Sequence, residues 1–177
     1  HACAQLAVFA QRLHHPLDLG QLGDNTVVNK STFVQALGIS NAIAVTCGYG
    51  HSAALRSDGN VFAAGYNAQG QLGDNTTASK RTFVQALGIS NAIAIACGDN
   101  YSAALRSDGN VFAAGNNSSG QLGNNTIVDK STFVQALGIS NAVAIACGYH
   151  HSVALRSDGN IFACGYGSFG RLGDNTL

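Results

Sequence analysis

Cysteine and histidine are the residues of this chain that could ligate a metal ion. Cys147, His150 and His151 lie close together at a spacing that resembles a metal-ligand set. The corresponding positions 50 residues earlier hold cysteine, asparagine and tyrosine, so a site built by a repeated unit would lose two ligands in its middle copy. The sequence therefore predicts no metal site.

The cysteines also fail to form a redox or nucleophilic set. Cys47, Cys97 and Cys147 recur every 50 residues and therefore fall in separate structural units. Cys147 and Cys164 are expected on the first and third strands of one sheet, roughly 9 to 10 Å apart, which is beyond the roughly 7 Å between Cα atoms that a disulfide tolerates. We interpret all four as small apolar core residues.

Glycines at the spacing of a phosphate-binding loop occur at Gly65 and Gly70, but Gln71 and Leu72 follow them. The lysine and hydroxyl residue that such a loop uses on phosphate and Mg²⁺ are missing. Acidic residues fall in turn sequences such as residues 58–60 rather than at the dense spacing of a Ca²⁺ loop. With no glutamate and no catalytic triad in the sequence, we predict a noncatalytic protein without a cofactor.

These residues belong to an internal repeat with a period of 50 residues. Nearly the same heptapeptide, GQLGDNT, begins each unit at Gly20, Gly70, Gly120 and Gly170. We divide the chain into units 20–69, 70–119 and 120–169, followed by a stub, 170–177. Near-identical tandem units must adopt the same structure and the same neighbour contacts, as in a solenoid, a propeller or an array.

Each unit contains four short apolar runs that predict strands A, B, C and D. In the first unit these are Ala42 to Cys47 (A), Ser52 to Ser57 (B), Val61 to Ala64 (C) and, ahead of them, Thr32 to Leu37 (D). The pair Asp58-Gly59 favours a two-residue hairpin turn in which both residues have positive φ. Four short antiparallel strands per unit predict an all-β fold, a β-propeller of four-stranded blades.

Residues 47–75, CGYGHSAALRSDGNVFAAGYNAQGQLGDN, resemble the repeat of the regulator of chromosome condensation family. The resemblance covers residues 20–177 and recurs three times. It rests on Gly48, His51, Leu55, Asp58-Gly59, Gly65-x-Asn67 and Gly70-Gln71-Leu72-Gly73. It implies a β-propeller, usually of seven blades.

About three blades are present, too few for a closed propeller of roughly four to eight blades. The predicted D strand at Thr32 to Leu37 leads, and a C strand at Ile161 to Cys164 comes last. The leading D strand could therefore complete the last blade, in a ring closed by further repeats or by self-association of two copies. Residues 1–19 match the period poorly, and both a degraded half-blade and a disordered end remain open.

The charge composition of the chain disfavours nucleic acid and anionic membranes as partners. Nine basic and nine acidic residues give zero formal net charge, which provides no long-range attraction for nucleic acid or an anionic membrane. No apolar run approaches the roughly 18 residues of a membrane span. The chain lacks Met and begins with His1, so we interpret it as a piece of a longer reading frame. The sequence assigns no cellular compartment.

Differences between the units concentrate at one end of the predicted blades. The variable positions lie mainly in the A-to-B and C-to-D loops, whereas the turns SDGN and GISN at the other end are the same in all three units. Tyrosine, asparagine and serine are typical of adaptable binding surfaces; the alternative is that these loops merely tolerate variation. The candidate partner-binding residues are Tyr49, His51, Tyr66, Asp99, Asn100, Tyr101, Asn116, Tyr149, His150, His151, Tyr166 and Phe169.

We therefore predict a noncatalytic protein-binding scaffold that uses the A-to-B and C-to-D loops. His51 and His151 are expected to hydrogen-bond the A-to-B turn, with Tyr101 in the same role. The resemblance also implies an alternative, a regulator of a small GTPase or of another enzyme. A third possibility is a structural cell-surface array, favoured by Asn-x-Ser/Thr strings at Asn29, Asn75 and Asn117.

Overall fold

The computed structural model describes residues 19–173, and the expectations for residues 1–18 and 174–177 lie outside this range. The described part contains eleven strands and one short 3-10 helix, Ser168–Gly170. No helix in it is long and apolar enough to span a membrane. The strands are β1 (Ala42–Cys47), β2 (His51–Arg56), β3 (Val61–Gly65), β4 (Lys80–Gln85), β5 (Ala92–Cys97), β6 (Tyr101–Arg106), β7 (Val111–Gly115), β8 (Lys130–Gln135), β9 (Ala142–Cys147), β10 (His151–Arg156) and β11 (Ile161–Gly165).

The strands form three antiparallel sheets, one per repeat. Blade 1 has the order β1-β2-β3-β4, blade 2 has β5-β6-β7-β8, and blade 3 has β9-β10-β11. Within each sheet, strands that follow one another in sequence are paired side by side, which is the arrangement of a propeller blade. The predicted all-β propeller architecture with three blades is confirmed.

Strand A of the first blade has the predicted bounds, Ala42–Cys47. Strand B, His51–Arg56, begins and ends one residue before the predicted bounds. The D strand was misplaced. Thr32 to Leu37 forms no strand. The two D strands within residues 19–173, β4 and β8, begin and end two residues earlier in their repeats than predicted. A D strand pairs only with the C strand before it, and no described strand lies before residue 42, so this segment has no ladder to join.

The hairpin between strands B and C has a different turn from the one predicted. Gly59 donates to the Arg56 carbonyl oxygen at 3.0 Å, and Arg56 donates to the Asn60 carbonyl oxygen at 2.9 Å. Only Gly59 has a positive φ, of 79°. The loop is therefore the three-residue type, a type I turn followed by a left-handed glycine. Asp58 supports it by accepting a hydrogen bond from the Asn60 N–H.

The invariant end of the blades carries contacts between neighbouring repeats. Ala92, at the start of blade 2, donates its backbone N–H to the Gly59 carbonyl oxygen at 3.0 Å. A Cβ at Gly59 would lie 2.8 Å from the Cα of Asn91, and Gly109 meets Asn141 in the same way. The turns SDGN and GISN are thus held constant by turn geometry and also by the close approach of the next blade.

Blades 1 and 2 pack through small residues, with one phenylalanine inserted between them. Leu55 and Val61 of blade 1 meet Ala92 and Ala104 of blade 2 in one buried cluster, which Phe133 also joins. Phe133 lies on the outermost strand of blade 2, and its ring occupies the space that a side chain at Gly73 would need. Full burial of such a side chain contributes about 1.5–3 kcal/mol to the free energy of folding. The Phe133 ring therefore stabilises the contact between its blade and the preceding repeat.

Candidate partner-binding face

The A-to-B and C-to-D loops lie together at one end of the three blades; we call this surface the loop face. Its A-to-B loops are joined by backbone hydrogen bonds, from Tyr49 N–H to the Asp99 carbonyl oxygen at 3.2 Å and from Asp99 N–H to the Tyr149 carbonyl oxygen at 3.3 Å. Equivalent residues of successive repeats therefore form one continuous surface. The twelve predicted site residues divide there into buried and accessible ones.

His51 is buried, and its role differs from the expected one. Its Nε2 lies 2.9 Å from the Ser102 hydroxyl oxygen of the next blade, and that hydroxyl donates to the Gln71 carbonyl oxygen at 2.8 Å. His51 thus links two blades rather than bonding the turn of its own repeat. Burial lowers the pKa of His51 from 6.5 to about 4, which keeps the imidazole neutral. A partner cannot reach this side chain.

Tyr101 takes the same place in the second repeat, as predicted, but it also links blades. Its fully buried hydroxyl donates to the His151 carbonyl oxygen of blade 3 at 2.5 Å and accepts from the Ser152 hydroxyl at 3.2 Å. Burial raises the pKa of the Tyr101 phenol. His151 lies at the equivalent position of blade 3 but remains partly exposed, because no described blade follows it.

Asp99 is a buried acid within the loop face. Its Oδ2 accepts a hydrogen bond from Asn100 Nδ2 at 2.6 Å, while its Oδ1 has no partner among the described residues. Burial raises the pKa of Asp99, and the nearby His150 partly opposes this. The charge of Asp99 in turn raises the pKa of the Tyr149 phenol beside it. The buried Asp99 carboxylate therefore changes the acidity of an exposed side chain of the loop face.

Aromatic side chains dominate the accessible part of the loop face. Tyr149 is 65% exposed and Phe169 is 83% exposed, and Tyr49 and Tyr166 are exposed as well. The Tyr149 and His150 rings stack edge to face with centroids 4.3 Å apart. Amphipathic rings held at the surface favour recognition of a partner because they offer large contact area at low entropic cost.

Around blade 3 these rings surround a cavity of about 210 Å³ lined by Tyr149, His150, His151, Tyr166 and Arg171. The Arg171 guanidinium lies over the ring of Tyr166 at 5.2 Å and over that of Phe169 at 5.0 Å, distances suited to cation–π attraction. Phe169 adopts φ of 64°, a conformation that side chains of this size rarely adopt. Sequence reasoning missed Arg171, since the equivalent residue of the other repeats is glutamine.

The remaining predicted residues, Asn100, Asn116 and Tyr66, form hydrogen bonds within the protein. Asn100 accepts from Gln71 Nε2 at 3.3 Å, and Asn116 accepts from Gln121 Nε2 and from Ser118. Tyr66 is half-buried against the A-to-B loop of its own blade, where its N–H donates to the Gly50 carbonyl oxygen. These side chains support the surface more than they extend from it.

The C-to-D loop is folded around a fully buried asparagine. Asn67 Nδ2 donates to Asp74 Oδ1, the Thr76 carbonyl oxygen and the Ala78 carbonyl oxygen, and its Oδ1 accepts from the Leu72 N–H. Burial alone would raise the pKa of Asp74, but hydrogen bonds from Thr76, Asn67 and Lys80 outweigh it and lower that pKa.

Asn117 is the counterpart of Asn67 in the second repeat, with its Nδ2 bonded to Asn124 and Thr126. It is fully buried, so it is no acceptor for a surface sugar in the folded chain. The string Asn117-Ser118-Ser119 therefore gives no support to a glycosylated cell-surface array. In the third repeat the position is Gly167.

Replacing Asn67 with alanine is expected to lower the free energy of unfolding by about 2–3 kcal/mol, because it leaves the Leu72 N–H and the Asp74 carboxylate without their buried partner. Urea unfolding monitored by tyrosine fluorescence measures this change. Asn29→Ala, at an exposed position with no such bonds in the described structure, is the control and should change stability by less than about 0.5 kcal/mol.

Cys97 and Cys147 are weakly acidic thiols packed between neighbouring blades. All four described cysteines are free, and Cys97 packs against Ala53, Ala63 and Leu72 of the preceding blade. Burial raises the pKa of Cys97 to about 12 and that of Cys147 to about 11, far from the depressed value of a nucleophilic thiol. Cys47, on the first blade, is exposed rather than in the core as predicted. No metal-ligating cluster occurs among residues 19–173.

The fold and its repeated contacts define a β-propeller built from tandem blades. The sequence model of the regulator of chromosome condensation (RCC1) repeat matches residues 58–105 and 108–155. A second model of the same repeat matches residues 42–71, 92–121 and 142–171. The chain belongs to the regulator of chromosome condensation repeat family.

Solved structures of other proteins share this fold. Human WBSCR16 superimposes with a TM-score of 0.73 at 24% identity, over 84% of this chain and 40% of that one. Yeast RCC1 (Prp20), seen bound to Kap60, gives a TM-score of 0.74 at 20% identity, over 89% of this chain and 40% of the yeast protein.

Prp20p from Saccharomyces cerevisiae, described with its binding to Gsp1p and histones, gives 0.59 at 29% identity, over 73% of this chain and 32% of its own. The chain therefore spans well under half the length of these relatives. A comparison with the curated proteins found no match.

Proposed function

We propose that this chain is a noncatalytic protein-binding segment of a propeller and that its loop face contacts the partner. The observation that carries the proposal is the concentration of exposed rings there: Tyr49, Tyr149, Tyr166 and Phe169 lie on this face, together with the partly exposed His150. The binding of Prp20p to Gsp1p and histones and of yeast RCC1 to Kap60 supports a protein as the partner.

The opposite end of the blades has the character of a structural surface. There each repeat carries the same ion pair, Arg56 with Asp58 at 3.0 Å, Arg106 with Asp108 at 3.1 Å and Arg156 with Asp158 at 2.9 Å. Each of these arginines also lies over a phenylalanine of its own blade, at 5.1 to 5.2 Å. Such exposed pairs contribute little to stability, and this end offers no site that differs between repeats.

The triple variant Tyr149→Ala, His150→Ala, Tyr166→Ala is expected to reduce partner capture by about tenfold or more, since aromatic anchors dominate binding energy at interfaces. The immobilised chain is incubated with extract of its source cells, and captured proteins are quantified by mass spectrometry. These side chains contact each other, Arg171 and Asp99, and they belong to none of the hydrophobic clusters found among the described residues. Folding should therefore persist, as circular dichroism will verify.

The matched control is Ser90→Ala with Ser140→Ala, at exposed positions of the opposite end, which should leave capture unchanged. Equal capture by the loop-face variant and the unmodified chain would refute the proposal. So would an equal loss in both variants, because the two ends of the blades would then not differ in function.

Regulation of a small GTPase is the second candidate function, favoured by the likeness to Prp20p and its binding to Gsp1p. This function requires an activity beyond binding, because a regulator of the exchange type must accelerate the release of nucleotide from the GTPase. Release of a fluorescent GDP analogue from Gsp1p, with and without the chain, distinguishes it from simple partner binding: acceleration supports exchange activity, and an unchanged rate leaves binding alone.

A further inference from the structure

The middle repeat differs from its neighbours in the A-to-B loop. Position 99 is aspartate in blade 2, whereas the equivalent residues of blades 1 and 3 are Tyr49 and Tyr149. Backbone hydrogen bonds join Tyr49 to Asp99 and Asp99 to Tyr149. One carboxylate therefore lies between two tyrosines on the loop face, in a blade that contacts a described blade on each side.

The Asp99 carboxylate has no cationic partner among residues 19–173. The residue is only 7% exposed, and it takes part in none of the ion pairs of this range, which hold five of the other six described aspartates. The sixth, Asp129, is exposed to solvent. A buried carboxylate without a cation is unfavourable, because the protein interior solvates its charge poorly.

The hydrogen bonds of this carboxylate are also incomplete. Oδ2 accepts from Asn100 Nδ2 at 2.6 Å, whereas the buried Oδ1 has no partner among the described residues. Burial raises the pKa of Asp99, although His150 and the Tyr149 phenol oppose the rise. These neighbours replace only part of the lost water, so a positive charge brought to the carboxylate stabilises its ionised form.

Two accessible rings border the carboxylate. Tyr49 is 53% exposed and Tyr149 is 65% exposed. The charge of Asp99 raises the pKa of the Tyr149 phenol, and Tyr49 adds to this effect, so the three side chains share one electrostatic environment. The face of a tyrosine ring attracts cations. The rings and the carboxylate therefore favour the same sign of charge in a ligand.

The loop face already holds one cation on a tyrosine. The Arg171 guanidinium lies over the ring of Tyr166 at 5.2 Å, and it forms no ion pair with Asp99. The Tyr149 ring is exposed and packs in none of the hydrophobic clusters of the described residues. Its rotation gives a ligand access to Oδ1.

We propose that Tyr49, Asp99 and Tyr149 form a site for a lysine or arginine side chain of the partner protein. The cationic group pairs with the carboxylate, and the methylene stem lies along the two rings. An apolar side chain at this place leaves the carboxylate unpaired, and an acidic one is repelled. The inference rests on the proposed function, because it names the partner chemistry that the loop face recognises.

The test is an NMR titration of the 177-residue chain, with ring-labelled tyrosines, against Nα-acetyl-lysine amide or Nα-acetyl-arginine amide. We expect saturable shifts of the Tyr49 and Tyr149 ring signals at millimolar concentrations, which correspond to about −4 kcal/mol. Nα-acetyl-norleucine amide has the length of lysine without its charge and should cause no such shift. Equal shifts with norleucine amide, or no saturable shift with either basic probe, would overturn the proposal.

Asp99→Asn should weaken binding of the basic probes by about tenfold or more, because it removes the charge and keeps the shape. Asp99→Tyr introduces the residue that both neighbouring repeats hold at this position, and it should cause the same loss. The matched control, Asp108→Asn, removes one carboxylate from the opposite end of the same blade and should leave binding unchanged. Circular dichroism verifies the fold of each variant. Equal binding by Asp99→Asn and the unmodified chain contradicts the inference.

The capture experiment separates this inference from the proposed function. Asp99→Asn should reduce partner capture, and Asp108→Asn should not. If Asp99→Asn captures partners as the unmodified chain does, while the triple variant of Tyr149, His150 and Tyr166 loses them, the proposed function stands and this inference fails. If the triple variant also retains capture, the proposed function fails with it.

Discussion

Replacing Gly88 with alanine is expected to lower the free energy of unfolding by about 3 kcal/mol, the sum of a left-handed backbone strain and an overpacking term. Gly88 has φ of 80°, and an added Cβ would lie 2.3 Å from the backbone carbonyl oxygen of Phe133. The clash is with backbone, so β8 must shift, and the buried Phe133 ring shifts with it. Urea unfolding measures the loss.

Gly138→Ala is the matched control because Gly138 occupies the same position one repeat later. Its φ is 74°, and no described atom lies within 4 Å of the added Cβ. Only the backbone strain remains, and we expect a loss of about 1 kcal/mol. An equal loss in the two variants would show that the packing of β8 against blade 1 contributes nothing to stability.

His51→Tyr is expected to remove a pH dependence of stability of about 3 kcal/mol between pH 6.5 and pH 4. The pKa of His51 is about 4 in the folded chain, because of burial, against an ordinary 6.5. Between these values the unfolded chain binds more protons than the folded one. The stabilisation is therefore complete above pH 6.5 and is lost as the pH falls toward 4.

Tyrosine is the appropriate replacement because Tyr101 occupies the equivalent buried site and bonds across to blade 3. Unfolding free energies are compared at pH 7 and pH 4, and the difference between variant and unmodified chain cancels the titration of the carboxylates. The converse variant, Tyr101→His, should steepen the pH dependence. If His51→Tyr and the unmodified chain lose the same stability on acidification, His51 does not titrate as its burial implies.

The boundaries of the inner strands could be predicted from sequence because they depend on local signals. The apolar run Ala42–Cys47 alternates in burial along its length. Gly59, with its positive φ, marks the turn that follows the next strand. Asn41, Asn91 and Asn141 recur at positive φ, a conformation that asparagine tolerates better than most residues. Each of these signals lies within a few residues of the structure it specifies.

Local signals could not predict where the outer strand D forms, nor which residues of the candidate site are buried and which are accessible. The sequence KSTFVQ is a strand at 130–135 and no strand at 30–35, because its ladder partner belongs to a different segment. His51 and Tyr101 lie in the variable loop positions, yet Ser102 and the backbone of residue 151 bury them. The strand at 130–135 depends on its pairing with β7, in which Gln135 lies opposite Phe112. The burial of the two ring side chains depends on groups about 50 residues away in sequence.

By itself, the sequence determined the repeat, its period, the inner strands and the propeller class, since identical units must fold alike and stack alike. The tertiary structure alone decided which loop residues remain accessible and which phenylalanine lacks a cavity to enter. The physical reason is that burial and strand pairing are properties of the interface between repeats. Phe33 and Phe133 have the same sequence neighbours, and only the blade packed beside them makes one exposed and the other buried.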